Sequence, residues 1–167
     1  MVIKDKIFKG KLKQKGIYDY KEFYNFIYDH LREEGYDVHE SLYHDTSSGD
    51  SKNLNINWTM TKDISDYFKY EITMDWIILG QKKIKVKVDG EEKSRDSGTL
   101  EINFAATLIK DSGNNWDSGF LKVLREIYDK YIIRARIDDY EVDLFEQVND
   151  IIATIKSYLA IEGQHTV

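Results

Sequence analysis

Apolar and polar residues alternate strictly along four segments in the middle of the chain, with the apolar residues on even positions. The four segments are residues 54–61, 68–78, 83–89 and 99–108. Period-two alternation is typical of an antiparallel sheet that buries one face and exposes the other. The pattern predicts that the even-numbered apolar side chains are buried and that Lys85, Lys87 and Glu101 are exposed.

The rest of the sheet is predicted from the same alternation and from turn residues. Residues 2–13 carry lysines on one side, which is typical of an edge strand, and residues 36–43 form another strand, so about six strands are expected. Residues 79–82 are predicted to be a hairpin turn. The polar stretches 45–53 and 89–98 are predicted to be connecting loops.

An N-terminal helix is predicted between the first two strands. Asp19 and Glu22 form a variant of the capping box, which starts a helix whose apolar stripe includes Phe23, Ile27 and Leu31. Gly35 is expected to end this helix in the left-handed conformation.

A second helical region is predicted from a cap at residue 117 or 118 to about residue 161. One straight helix of this length would extend about 65 Å, which exceeds the diameter of a domain of this size. The apolar stripe also changes phase, so a break between Ile132 and Asp139 is expected. The stripe before the break consists of Phe120, Leu124, Ile127 and Tyr131. A shorter helix, a bend and a long C-terminal helix follow from this, with residues 162–167 as a flexible tail.

These elements predict a single α+β domain over residues 1–167, with a curved antiparallel sheet covered on one face by both terminal helices. Their order resembles the helix-grip arrangement of the START and Bet v 1 superfamily. That resemblance implies an apolar ligand held between the sheet and the C-terminal helix. The chain departs from the superfamily in having one strand fewer, one helix rather than two after the first strand, and an extra helix before the last.

Composition excludes several classes of site. The 167 residues include no cysteine, so disulfides, thiolate zinc sites and a cysteine nucleophile are excluded. The net charge of −6 is the reverse of a nucleic-acid footprint, and no cofactor motif is present.

No apolar run reaches membrane-spanning length, so a cytoplasmic protein without an integral membrane segment is expected.

One polar cluster at the predicted helix junction is a candidate for chemistry: Arg134, Arg136, Asp138 and Asp139. Arginines beside carboxylates could bind a phosphate or support acid–base chemistry. Local pairing between Arg134 and Asp138, with a helix cap at Asp138 or Asp139, explains the same residues without a function. His39 and His44 differ in strand parity, so they are predicted to lie on opposite faces and no metal site is expected.

Two stretches also resemble an uncharacterised family of small archaeal proteins: residues 120–141, which begin Phe-Leu-Lys-Val-Leu-Arg-Glu-Ile-Tyr, and Asp66-Tyr-Phe-Lys-Tyr. This resemblance implies no activity.

Three functional hypotheses follow, and an enzyme is the last of them because the sequence shows no catalytic constellation. The first is a binding module that holds an apolar small molecule or lipid between the sheet and the C-terminal helix. Its candidate ligand-binding residues are Trp58, Tyr70, Trp76, Phe104, Val148 and Ile151. The alternative is a structural or interaction protein that self-assembles or binds a protein partner. An enclosed apolar cavity would favour the first hypothesis, and a filled core the alternative.

Overall fold

The computed structural model describes residues 2–113 and 119–164. The elements in chain order are β1 (Ile3–Tyr18), α1 (Tyr20–Glu33), β2 (Asp37–Ser48), β3 (Ser51–Asp63), β4 (Phe68–Val88), β5 (Glu91–Lys110), α2 (Gly119–Ile127), a π-helical segment (Tyr128–Ile132) and α3 (Arg134–Gln164). The predicted cap at residue 117 or 118 lies outside the described residues. Of the predicted tail, residues 162–164 belong to α3 and the remainder also lies outside them.

The strands form one antiparallel sheet of five strands in the order β1-β5-β4-β3-β2. β1 lies at an edge, as its lysines predicted. The expected count of six was wrong because β4 runs through the predicted turn at residues 79–82 as one strand. The predicted loops are also mostly strand, joined by tight turns at Gly49 and Gly90, which both have positive φ. Exposed hairpin ends need no apolar alternation, so their sequence resembles that of a loop.

A β-bulge allows β4 to continue past Gly80. Gly80 and Gln81 together occupy the space opposite Gly98 of β5, and Gly80 has a φ of +63°. A Cβ atom on Gly98 would lie 3.2 Å from the Cα of Gln81, so the two strands approach this closely only with glycine there. A bulge inserts one residue into a strand. Every side chain after it therefore points to the face opposite the one that period-two alternation predicts.

Because of this bulge, the face predicted for the last part of β4 was wrong. Before it, Trp76 pairs with Ile102, and both lie on the face covered by the helices. After it, Lys83 pairs with Asp96 on that face. The opposite face receives Ile84, Val86 and Val88, which the alternation assigned to the core; Ile84 and Val86 are partly exposed there, whereas Val88 is buried as predicted. In the other three segments the apolar even-numbered residues are buried as predicted.

The predicted exposure holds for Lys85 and Lys87 but not for Glu101. Glu101 lies half-buried under Lys11 of β1, whose Nζ is 2.9 Å from its Oε1. Lys11 holds the pKa of the Glu101 carboxyl below its usual range. Edge lysines on β1 therefore also neutralise acidic residues of the neighbouring strand.

The helices α1 and α3 cover one face of the sheet. Asp19 caps α1, since its Oδ1 accepts a hydrogen bond of 3.0 Å from the backbone N–H of Glu22, and Gly35 follows the helix with a φ of +87°. Both features confirm the predicted start and end. The buried stripe of α1 consists of Phe23, Ile27 and Leu31, and that of α3 of Leu144, Val148, Ile151, Ile155 and Leu159.

The break in the C-terminal helical region falls at Ile133, inside the predicted window. Ile133 has a φ of −115°, and it separates the π-helical segment from α3. The predicted cap at Asp138 or Asp139 was wrong, because α3 already begins at Arg134 and both aspartates lie inside it. The change of stripe phase located the break but not the first residue of the next helix.

Candidate functional site

The six predicted ligand-binding residues all lie in one packed core. Trp58, Tyr70, Trp76, Phe104, Val148 and Ile151 are each at most 2% exposed and belong to a single apolar cluster. The rings of Trp58 and Trp76 are 4.8 Å apart, and Phe23 of α1 lies 5.5 Å from Trp76. These side chains fill the layer between the sheet and the helices, where an apolar ligand was expected.

Some polar groups in this layer have partners within the chain, whereas the indole N–H of Trp76 has none among the described residues. The Tyr70 hydroxyl donates to Asp143 Oδ2 at 2.7 Å, and Gln147 Nε2 donates to the same oxygen at 2.8 Å. Tyr36 donates its hydroxyl to Gln147 Oε1 at 2.7 Å. Burial, and next the nearby Asp143 carboxylate, raise the pKa of both tyrosines. The two hydroxyls stay protonated at neutral pH and serve as donors that connect β4 and the link between α1 and β2 to α3.

A small pocket of about 160 Å³ opens beside this network, between the end of α1 and α3. Its walls include His30, Glu34, Tyr36 and Asp150, and of the six predicted ligand-binding residues it receives only Ile151. Most of the residues that line it carry polar or charged side chains, although apolar atoms form the larger share of its surface. The pocket does not match the apolar space that the helix-grip resemblance implies.

The predicted polar cluster is not brought together with other functional groups. Arg134, Arg136, Asp138 and Asp139 are all exposed on the first turns of α3. Among the residues that the structure describes, the expected pair between Arg134 and Asp138 is not formed. His39 and His44 lie on the same open face rather than on opposite faces, because a bulge near Ser41 shifts the register between them.

Within the described parts of the chain, no group of three or more His, Asp or Glu side chains is placed to hold a metal ion. None of the described helices has the length and apolar character needed to cross a membrane.

A surface on α2 has the opposite character from the rest of the fold. Its apolar residues point outward, with Phe120 75% and Tyr131 72% exposed. We call this surface the α2 stripe, and it consists of Phe120, Val123, Leu124 and Ile127 of α2 and Tyr131 of the adjoining π-helical segment. The spacing of three, four and seven residues places them on one side of the helix. The sequence showed four of the five as a stripe, but spacing alone could not show that the stripe is uncovered.

Charged side chains on the other side of α2 and of the π-helical segment bind residues that flank the strands. Arg125 is 3% exposed, and its Nη1 lies 3.3 Å from Oδ2 of Asp111, which is also buried at the end of β5. One turn later, Asp129 accepts a hydrogen bond of 2.7 Å from the Tyr67 hydroxyl. Burial, followed by this hydrogen bond, raises the pKa of Tyr67. These contacts fix the rotation of α2 so that its apolar side faces outward.

Comparison with protein-family profiles, with curated proteins and with solved structures gave no match. The resemblances to the helix-grip superfamily and to the archaeal family therefore stay predictions. The α2 stripe and the packing of the core are the features on which a functional proposal can be built.

Proposed function

We propose that the protein functions through self-assembly, with the α2 stripe as the centre of an interface between two copies. The observation that carries this proposal is the inverted orientation of α2, whose arginine is buried while Phe120 and Tyr131 are exposed. Soluble chains rarely leave a contiguous apolar surface of this kind without a use. Its burial in an interface would remove that surface from water.

A second copy fits the stripe geometrically. When two stripes pair antiparallel, Phe120 of one copy faces Tyr131 of the other, and Leu124 faces Ile127. A two-fold dimer needs such a self-complementary surface. Glu126 and Lys130, which are exposed beside the stripe and one helical turn apart on the same chain, place opposite charges at its edge. Opposite charges at the rim of an apolar centre are typical of protein interfaces.

Other occupants are less well supported by the charge and the core. The net charge of −6 opposes binding of the stripe to an anionic lipid surface. The apolar-ligand hypothesis stays a prediction, and the close packing of its six candidate residues gives it less support than the exposed stripe gives to assembly. An interface of standard size buries about 800 Å² on each partner, so the stripe would form its centre and polar neighbours its rim.

Light scattering coupled to size-exclusion chromatography tests the proposal. We expect the wild-type chain to form dimers in a concentration-dependent manner, and the double variant Phe120→Ser/Ile127→Ser to be monomeric. Leu79→Ser is the matched control, because Leu79 is similarly exposed but lies on β4 outside the stripe, and it should leave the dimer intact. A wild-type chain that stays monomeric at high concentration, or a control variant that dissociates equally, would contradict the proposal.

A further inference from the structure

A second pocket, of about 330 Å³, lies at the end of the sheet beside the β4 bulge. One wall is the turn between β2 and β3. The other consists of Gln81, Lys82 and Lys83 of β4, together with Asp96 of β5. The α2 stripe is not part of it, and the proposed assembly does not use it.

Gln81 is the most unusual residue in this pocket. The bulge turns it onto the covered face of the sheet, and the backbone N–H of Gly80 donates to Asn53 Oδ1 at 2.9 Å, which holds the bulge in place. Gln81 is only 3% exposed, and its Oε1 accepts no hydrogen bond from any residue that the structure describes. A buried acceptor without a donor is unfavourable, so a bound molecule that supplies a donor would stabilise this arrangement.

Asp96, which is equally buried, already has its partners. Its Oδ2 accepts a hydrogen bond of 3.0 Å from the backbone N–H of Tyr20, and its Oδ1 lies 3.0 Å from Lys83 Nζ. The negative charge of Asp96 is therefore balanced by Lys83 of the same chain. A ligand would not need to bring a cation to this pocket.

Positive charge is in excess around the pocket. Three lysines line it, against Asp50 and Asp96. Lys52 is half-buried on β3, and among the described residues neither Lys52 nor Lys82 forms an ion pair. This concentration of cations on a chain of net charge −6 favours an anionic ligand.

We propose that this pocket binds a protonated oxyanion, namely hydrogen phosphate. The charged amines of Lys52 and Lys83 donate to its ionised oxygens. Gln81 Oε1 is closed off from solvent in the unliganded chain, so the amide turns toward the pocket on binding and accepts from the P–OH group. Charge-assisted hydrogen bonds of this kind are stronger than neutral ones. Sulfate has the same shape and charge but carries no proton at neutral pH, so it cannot satisfy Gln81.

Isothermal titration calorimetry with inorganic phosphate and with sulfate, at neutral pH and matched ionic strength, tests the pocket. We expect phosphate to bind at least about tenfold more tightly than sulfate, because only phosphate supplies the donor. Lys52→Ala should weaken phosphate binding by about tenfold or more. Lys85→Ala is the matched control, since Lys85 lies on the same strand as Lys83 but does not line the pocket, and it should leave the affinity unchanged.

Gln81→Met examines the role of the buried amide, because methionine has a similar volume and no oxygen acceptor. This variant should bind phosphate and sulfate with equal affinity. Equal binding of both anions by the wild type, or equal losses in Lys52→Ala and Lys85→Ala, would indicate an adventitious ion only. Absence of phosphate binding to the folded wild-type chain, or an unchanged preference for phosphate in Gln81→Met, would also overturn the proposal.

Discussion

The layer between the sheet and α3 and the contacts that hold α2 use opposite chemistry. Under α3, apolar side chains such as Trp76 and Val148 face inward, and the exposed side is mostly polar apart from Val142, Phe145 and Ile161. In α2 and the π-helical segment, Arg125 and Asp129 bind Asp111 and Tyr67, which lie just outside β5 and β4, while Phe120 and Tyr131 face out. The first layer is the usual hydrophobic core of an α+β domain. The second is held by ionic and hydrogen-bonding groups, which leaves its apolar side available to another molecule.

The difference shows that amphipathicity and burial are separate properties of a helix. Both α2 and α3 have a continuous apolar side, but only that of α3 is covered by the sheet. Arg125 and Asp111 set the rotation of α2, because separating two buried charges would leave each without its partner. Four substitutions test this contrast.

The largest effect is expected in the layer under α3. Replacing Trp76 with Ala should lower the free energy of unfolding by about 3–5 kcal/mol, because it removes a large aromatic side chain and leaves a cavity. Chemical denaturation measures this loss. Lys85→Ala, on the same strand but exposed, should change stability by less than about 0.5 kcal/mol, and equal losses in the two variants would contradict the assigned face.

A smaller and more local effect is expected under α2. Asp111→Ala removes the carboxylate beside the buried guanidinium of Arg125, and breaking such a pair costs roughly 3 kcal/mol. Hydrogen exchange should show faster exchange in α2 but unchanged protection in β3. The double variant Asp111→Ala/Arg125→Met should recover part of the loss. If Asp111→Ala alone left α2 fully protected, the ionic pair would not be what positions this helix.

Changes in the α2 stripe should barely affect the folded monomer. Phe120→Ser removes a side chain that is mostly in water, so the free energy of unfolding should change by less than about 0.5 kcal/mol when measured on dilute protein. Denaturant melts at low concentration provide the measurement. A loss as large as that of Trp76→Ala would mean that the stripe belongs to the core of a single chain.

The smallest effect concerns Glu141 on α3. Burial, and then repulsion from Asp5 and Asp138, raise the pKa of this carboxyl above its ordinary value. The folded chain therefore binds the proton more tightly than the unfolded chain, so stability falls as pH rises through this range. Glu141→Gln should be slightly more stable than wild type at neutral pH and equal to it in acid. Thermal melts across pH that showed the opposite trend would contradict this assignment.

Much of the sheet was predictable because alternation in a strand follows from backbone geometry alone. Residues 54–60, 68–78 and 100–108 face as predicted, since each successive side chain must point to the opposite side. The prediction failed where a glycine intervened. Gly80 is compatible with either a hairpin turn or a bulge, and the choice depends on the close approach of Gly98 from the neighbouring strand.

The candidate sites were less predictable, because they depend on residues far apart in the chain. The pocket at Gln81 needs the β4 bulge, the turn between β2 and β3, and Asp96 of β5 to meet at one end of the sheet. None of these segments carries a recognisable motif. The predicted cluster at residues 134–139 was conspicuous in the sequence only because its charges are adjacent, and adjacent residues on an exposed helix need no common role.

The sequence by itself determined the α+β class, the antiparallel sheet, the capped first helix and the break before the long C-terminal helix. These features depend on local periodicity and on single residues such as Asp19 and Gly35. Tertiary structure decided the number of strands, the facing of residues beyond Gly80, and the outward orientation of the α2 stripe. The physical reason is that periodicity shows which side of an element is apolar, whereas contacts with distant segments decide what covers that side.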